Sequence, residues 1–402
     1  MKITYISSDH TAPILTAKYA AALGQRAKVE VISARFPAVE FRKSIIFDDS
    51  VIAHVGEHFR LSRVLASLPV LWRHSHRVVM RVPSSRYFRA LLFPPSDVYV
   101  AADPDDLRFA WLAATIYRKR LVYIPFEYFP EHSQATVRQK RRWAQLERRY
   151  APHVHALVSL GDKLSREYEL NYGLHGRVHT IYSSLPRAYD PGEPLLRRRI
   201  KVGASDKIIL YQGLVARIRG IWDVLAAMPF LADNVHFVVI GFGEEFEAFR
   251  RDASSSPSRS RVHVLDAVPQ SELMRYTRDA DVGIIPIHDA SKSYRYCNPG
   301  KLFEYIAAGL PLAVSNLDQL AWYVRSRSLG EVFTWGSATE IVLALRRLLD
   351  DSEYRLNCAA NCRRNHAEEA CWDIQSERLQ RAVLGPFSAV EPAAVSKNYV
   401  PL

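Results

Sequence analysis

Short apolar runs alternate with helical segments from the start of this chain, stop in a polar stretch near residue 190, and then begin again. That repeated order constrains the fold more than any other feature. KITYIS (2–7) reads as a strand, TAKYAAALGQRA as a helix ending at Gly24 or just beyond, and KVEVISA as the next strand. Further strands are expected at 97–102, 120–126, 155–160 and 177–183. Strands separated by helices build a mainly parallel sheet with helices on its faces. The pattern breaks over SLPRAYDPGEPLLRRRIKV (184–202), which is rich in Pro, Gly and charge and has no period, so it reads as a linker. KIILYQG, HFVVIGFG, RVHVLDA, VGIIPI and LPLAVSN then resume the strands, with WDVLAAM, QSELMRYTRDA, GKLFEYIAAG and SATEIVLALRRLLDD as helices between them. At 402 residues the chain exceeds the roughly 250–300 at which single cores stop growing. The expected division is a first β/α domain over 1–190, a linker over 191–204, a second β/α domain over 205–370, a last helix over 371–386, and a tail from 387 to 402 expected to be disordered. Two such halves facing each other place a ligand cleft at the carboxyl ends of their strands.

Charge narrows the partners. The formal net charge is +12, and its position matters more than its size. From Arg60 to Ser96 there are seven Arg and no acid, interleaved with Leu, Trp, Val and Phe, and RQKRRWAQLERRY adds a second basic block. A basic, aromatic-studded first half reads as a patch for an anionic membrane surface, with a merely solvated face as the alternative. No helix-turn-helix, zinc-finger or RNP signature supports nucleic acid as a partner. Asp9 and His10 interrupt the apolar run that a signal peptide would need, and no window reaches the roughly 18 apolar residues of a membrane span, so a cytoplasmic chain, peripheral at the inner membrane face, is expected. Four scattered cysteines fit a reducing compartment. Cys358, Cys362 and His366 share one helical face, but a fourth ligand is not in sight and no metal site is expected.

Two stretches carry the chemistry. In NPGKLFEYIAAGLPLAVSN (298–316), Pro299 and Gly300 start a helix near Lys301 and Leu302, so unpaired backbone N–H groups and the positive end of the helix dipole face the cleft and make an anion site. Glu304 lies about one turn in, placed to accept hydrogen bonds from hydroxyls on whatever carries the anion. The helix stops at Ala308-Gly309 before Pro311. In YQGLVARIRGIWDVLAA, Gly213 follows a strand, and Arg217 and Arg219 occupy the loop before Gly220 and the next helix; loop arginines of this kind are either solvated or placed to reach a diphosphate. VVIGFGEEF has Gly241 and Gly243 but Phe246 where a dinucleotide fingerprint needs Gly, so it reads as a turn with close backbone approach.

These pieces in this order resemble the GT-B-fold retaining glycosyltransferases of the family 4, or group 1, type. The similarity rests on YQGLVARIRGIWDVLAA, VVIGFG, VPQSELMRYTRDADVGIIPI and PGKLFEYIAAGLPLAVSN. It extends more weakly to DVYVAADPDDL, VYIPFEYFPE and HALVSLGDKLSREYELNYG, and it covers most of residues 1–386. The resemblance implies an α/β GT-B fold of two facing Rossmann-like domains. The first binds the acceptor, the second binds the nucleotide-sugar, and a last helix, WDIQSERLQRAV, crosses back. It implies transfer of a hexose from a UDP- or GDP-sugar, with retention, to a glycan or lipid-linked acceptor in cell-surface polysaccharide biosynthesis. No cofactor beyond the nucleotide-sugar co-substrate and no metal are implied.

Carried over by position, the resemblance gives Glu304 the donor ribose and Arg219 the phosphate-binding role. Arg217 helps it, and Gly213, Pro299, Gly300, Lys301 and Leu302 line the donor site. Glu127, Asp103 and His10 become candidates for orienting the acceptor. The sequence departs from the family pattern at Tyr296, where the first acid of the Glu-x7-Glu pair would fall, at Leu214, where the paired Arg would fall, and at Val100, Ala102 and Phe126, positions often held by His. Those departures keep open a homologue that binds a nucleotide or glycan without transfer, and a GT-B relative such as a sugar-nucleotide epimerase. Asp103-Pro-Asp105 also resembles the Asp-x-Asp metal motif of the single-domain GT-A type, although a loop is the simpler reading of 103–106.

Overall fold

Among the described residues every paired strand runs parallel to its neighbours, as strands separated by helices must. A computed structural model describes the protein over residues 1–7, 13–33, 51–55, 95–133, 135–190 and 192–385. His10, the basic stretch from Arg60 to Arg89 and the tail from 387 lie outside the described residues. The first sheet holds β1 (Lys2–Ser7), β2 (Lys28–Ser33), β3 (Val51–Val55), β4 (Val98–Ala101), β5 (Arg120–Tyr123), β6 (Ala156–Ser159) and β7 (Val178–Thr180), in the order β3-β2-β1-β4-β5-β6-β7. The second holds β8 (Lys207–Leu214), β9 (Val235–Phe242), β10 (Val262–Asp266), β11 (Val282–Ile285), β12 (Leu312–Ser315) and β13 (Gly330–Phe333), in the order β10-β9-β8-β11-β12-β13. Each sheet therefore reverses its winding beside its own first strand. Those switch points, between β1 and β4 and between β8 and β11, are where open parallel sheets leave a crevice.

Both faces of each sheet are covered, which is why the strands read as near-continuous apolar runs. In β1, Ile3 and Tyr5 enter one core cluster while Ile6 enters the cluster on the opposite face. Two edge strands, β3 and β13, escape the sequence pattern. GEVF is four residues long and half polar, too short to show a period.

The segment expected as a linker is partly docked. Leu196–Ile200 form a helix whose Leu196 is buried in the second domain's core, and Arg197 donates to Asp281 at 2.7 Å. The closing helix, Trp372–Leu384, lies in the core of the first domain with Trp372, Leu379 and Val383 buried there. Its polar residues stitch the two together: Gln380 Nε2 donates to Ala22 O at 2.8 Å, and Tyr182 N donates to Gln375 Oε1 at 3.0 Å. Cys358 and Cys362 are buried core residues, and His366 Nε2 lies 2.9 Å from Pro186 O, so the three enter separate surroundings; among the described residues no cluster suits a metal ion.

The second basic block forms the helix Val137–Tyr150, and its one acid points inward. Glu147 is 0% exposed and accepts from Tyr123 Oη and Tyr172 Oη, both at 2.7 Å. Burial pushes its carboxyl up to about 7, against the opposing pull of the two phenols. The folded state therefore keeps a proton that the unfolded chain gives up near 4.5, so stability falls as pH rises from about 4.5 to about 7. Above that range the cost of the buried charge is on the order of 3 kcal/mol. Glu147→Gln, which retains a partner for each tyrosine, should raise the denaturation midpoint at pH 8 and leave it nearly unchanged at pH 5. An equal effect at both pH values would refute buried ionisation as the cause.

Candidate active site

At the carboxyl end of the second sheet, backbone geometry decides which side chains converge. Gly213, next to last in β8, stands at φ +115°, and β8 pairs β9 so closely that a Cβ on Gly241 would lie 2.7 Å from Gly213 O. The expected close backbone approach at Gly241 and Gly243 is thus present. Beyond β8 the chain makes a short 3₁₀ turn, Arg217–Arg219, and reverses at Gly220. The helix Gly300–Ala308 begins after Pro299 and stops at Gly309 in the left-handed region, as the sequence predicts.

This scaffold brings together Arg219, Lys301 and Glu304. Lys301 Nζ sits 3.6 Å from the centre of the Tyr211 ring. Burial, then the neighbouring Arg219 charge, hold its ammonium well below the ordinary lysine range, with Glu304 pulling the other way. The Arg219 guanidinium lies 5.1 Å from the Tyr294 ring centre, its Nε is buried without a partner, and it makes no ion pair among the described residues. Arg219 and Lys301, neither in an ion pair among the described residues, stand beside a helix N-terminus, an arrangement that suits a dianionic group. Glu304, one turn in, accepts from Gln212 Nε2 and, at 3.1 Å, from Gln270 Nε2.

Three residues expected at the donor site are engaged within their own domain. Arg217 does not join Arg219: its guanidinium lies over the Trp222 ring at 4.1 Å and 3.6 Å from Asp252, and its N–H donates to Glu245 Oε2 at 2.6 Å. With three residues per turn, positions two apart on a 3₁₀ turn point about 240° apart. Leu302 is fully buried in the core and its N–H already donates to Pro299 O at 2.9 Å, which leaves Gly300 and Lys301 to supply the helix-start donors. Pro299, having no N–H, contributes only the cap geometry that starts the helix.

On the first domain, Asp103 is not a residue of an open loop. It caps the helix Pro104–Tyr117, is 0% exposed, and accepts from Asp106 N at 2.9 Å through Oδ1 while Oδ2 has no partner. Burial pushes its carboxyl up to about 7. Asp105 turns away to accept from Trp143 Nε1 at 3.0 Å and from Arg142, so the Asp-x-Asp pair does not converge on a shared metal. Asp at the cap followed by Pro at the first helical position was a signal available in the sequence. Val100, Ala102 and Phe126 are buried in the first core, Phe126 edge-on to Tyr19 at 5.2 Å.

Glu127 faces the second domain, accepting from Ser293 Oγ at 3.4 Å. Around it, the short helix Lys292–Arg295 is fastened to the first domain. Lys292 Nζ donates to Glu167 Oε1 at 2.5 Å and Lys292 N donates to Glu131 Oε2 at 3.2 Å. Tyr296, standing where an acid was expected, ends that helix, and its carbonyl would lie 2.8 Å from a Cβ at Gly161. Lys18, which carried no motif signal, bridges the crossing segments: it donates to Ser184 O at 2.6 Å and lies 4.2 Å from the Trp372 ring centre. Burial lowers its ammonium to about 7, against the pull of Glu304 from the opposite domain.

Residues 206–351 match the family described as glycosyl transferases group 1. An uncharacterized glycosyltransferase of Methanocaldococcus jannaschii is 26% identical over 179 residues, a match spanning 44% of this chain and 44% of that protein. Among solved structures, HepE of Anabaena, in complex with UDP and glucose, superposes with a TM-score of 0.71 at 13% identity, over 96% of this chain and all of that one. WaaG, a glycosyltransferase involved in lipopolysaccharide biosynthesis, superposes with a TM-score of 0.62 at 17% identity, over 96% and 100%. The likeness over 206–351 is one of sequence, to the family of glycosyl transferases group 1, and the likeness to the solved structures is one of fold, the two-domain fold those glycosyltransferases share.

Proposed function

We propose that the protein is a retaining glycosyltransferase that moves a sugar from a nucleoside-diphosphate donor to a glycan or lipid-linked acceptor. The observation that carries this reading is the convergence of Arg219, Lys301 and the start of the helix Gly300–Ala308, with Glu304 one turn further in. Cations and helix N–H groups suit the diphosphate, and a carboxylate suits ribose hydroxyls. During transfer, negative charge grows on the departing phosphate, and fixed cations in a partly dry cleft act where that charge develops. The departing phosphate accepts the acceptor's proton, so no enzyme nucleophile is needed. Glu127 on the facing wall is the acid best placed to orient an acceptor hydroxyl. HepE has also been solved with UDP-glucose, and WaaG acts in lipopolysaccharide biosynthesis; both support a UDP-sugar donor and a cell-surface glycan acceptor here. Among the described residues no helix is long and apolar enough to cross a membrane. The Arg60 to Arg89 stretch is our candidate for holding the protein at an anionic lipid surface.

The donor site is tested by thermal shift with UDP, GDP, ADP and TDP, on wild type and Glu304→Ala. One nucleotide should stabilise the wild type, by about 2.7 kcal/mol at 100 times its Kd, and the shift should shrink in the variant. No response to any of the four would remove the reading. Tyr296 in place of an acid favours a second reading, a protein that binds without transfer. Product analysis with labelled donor separates the two: transferred or slowly hydrolysed sugar supports the enzyme, and intact donor supports the binder.

A further inference from the structure

We propose that Gln212 and Gln270 act as two unlike clamps on Glu304, one fixed and one displaceable, which together set how strongly the site reads ribose hydroxyls. The proposal rests on the donor-site reading above and deepens it.

Gln212 is 2% exposed near the end of β8, in a strand whose neighbours Leu210 and Tyr211 are core residues. A buried amide costs free energy unless its donors and acceptors are met, and here they are met by a directed set of partners. Gln212 Oε1 faces Thr277 Oγ1 at 2.8 Å, and Nε2 faces Glu304 Oε2. The orientation of this amide follows from chemistry. An ionised carboxylate only accepts, so the NH₂ end must face Glu304 and the carbonyl end must face Thr277. Thr277, itself 0% exposed, has one hydroxyl proton between Gln212 Oε1 and Leu273 O at 3.0 Å, and only donation to Gln212 holds the amide in this sense. The Gln212 main-chain N–H donates to Tyr305 Oη at 3.1 Å, pinning the same residue to the Glu304 helix. Glu304 is thus aimed by a buried relay from Thr277 through Gln212.

Gln270 reaches the other oxygen, Glu304 Oε1, at 3.1 Å, but from an exposed position at the first residue of the helix Gln270–Thr277. Each carboxylate oxygen can accept more than one hydrogen bond, so the buried Gln212 contact is compatible with an incoming hydroxyl. Gln270 instead stands on the open side of Glu304, where a hydroxyl must approach, and it has to swing out when the ribose enters. The two amides should therefore have opposite effects on affinity.

Titration calorimetry with UDP and GDP and with their 2′,3′-dideoxy counterparts tests this. Gln212→Leu should weaken the preferred nucleotide about tenfold and leave its dideoxy form nearly unchanged, so the preference for the ribose diol collapses. Thr277→Val should move the ratio the same way by a smaller factor. Gln270→Ala should tighten the ribose form about twofold to threefold and leave the dideoxy form alone. The Gln270 site is exposed, so that variant remains informative if the buried changes impair folding. Equal weakening of both forms by Gln212→Leu, or weaker ribose binding in Gln270→Ala, would overturn the clamp. Wild-type protein that binds none of UDP, GDP, ADP and TDP overturns the donor-site reading beneath it.

Discussion

Arg219→Ala should lower kcat by about 10²-fold to 10³-fold with a much smaller change in KM, the loss typical of removing one fixed donor from a developing anion. Among the described residues Arg219 has no carboxylate in ion-pair contact; it lies near the Tyr294 ring and is fixed at the end of the 3₁₀ turn. Charge on the phosphate is greater in the transition state than in the bound donor, so the interaction counts mainly in kcat. Arg219 also depresses the ammonium of Lys301. Its removal should let Lys301 stay protonated to higher pH, which moves the alkaline limb of the rate profile upward and returns part of the lost charge. Arg219→Lys keeps the charge without the fork and should recover only a fraction of the rate. Arg217→Ala is the matched comparison. Its side chain is engaged with Trp222 and Asp252, so its rate should stay within a fewfold of wild type. If both alanine variants lose activity equally, or Arg219→Ala keeps wild-type kcat, the assignment of the leaving-group cation is wrong.

The contrast between these two arginines indicates which parts of the site were legible in the sequence. The helix Gly300–Ala308 could be read because its signals are local: Pro299 and Gly300 start it, Gly309 stops it, and the acid between them falls one turn in. The loop that carries Arg219 could be placed because a turn between a strand and a helix is a local feature too. The direction of a side chain is not, because two residues of offset on a 3₁₀ turn send Arg217 to the outer face and Arg219 inward. Gln212, Thr277 and Lys18 had no motif to betray them. Gln212 meets Glu304 across 92 residues of sequence and Thr277 across 65, and Lys18 meets Ser184 across 166. Contacts of that range exist only once the sheet order is set, and the order places β8 beside both β9 and β11. Asp103 is the opposite case. Its cap signature was present in the sequence, and its burial follows from its place at the end of the central strand β4, under the helix it caps.

Gly220→Ala should destabilise the second domain by more than about 4 kcal/mol, seen as a large fall in the denaturation midpoint, and it should abolish nucleotide binding as well. Gly220 stands at φ +69°, a region that costs an L-residue roughly 1 kcal/mol by itself. Steric overlap costs more. An added Cβ would lie 1.8 Å from Pro286 O and 2.8 Å from Pro286 C, which are backbone atoms without rotamers to escape into. The segment it would strike is held on both sides, since His288 N donates to Ile218 O at 3.0 Å and His288 Nε2 lies 2.5 Å from Asp223 Oδ2. Relief therefore requires moving the turn that carries Arg219 away from the strand-end loop that carries His288. Gly300 is the control for this reasoning. A Cβ there meets nothing within 4 Å, at a helical position where alanine is the better residue. Gly300→Ala should add about 0.5–1 kcal/mol of stability while weakening nucleotide binding, because the open space beside it is the space we assign to the donor diphosphate. Stability and binding should thus fall together at Gly220 and move in opposite directions at Gly300. If Gly300→Ala binds nucleotide as well as wild type, the phosphates do not approach the helix start.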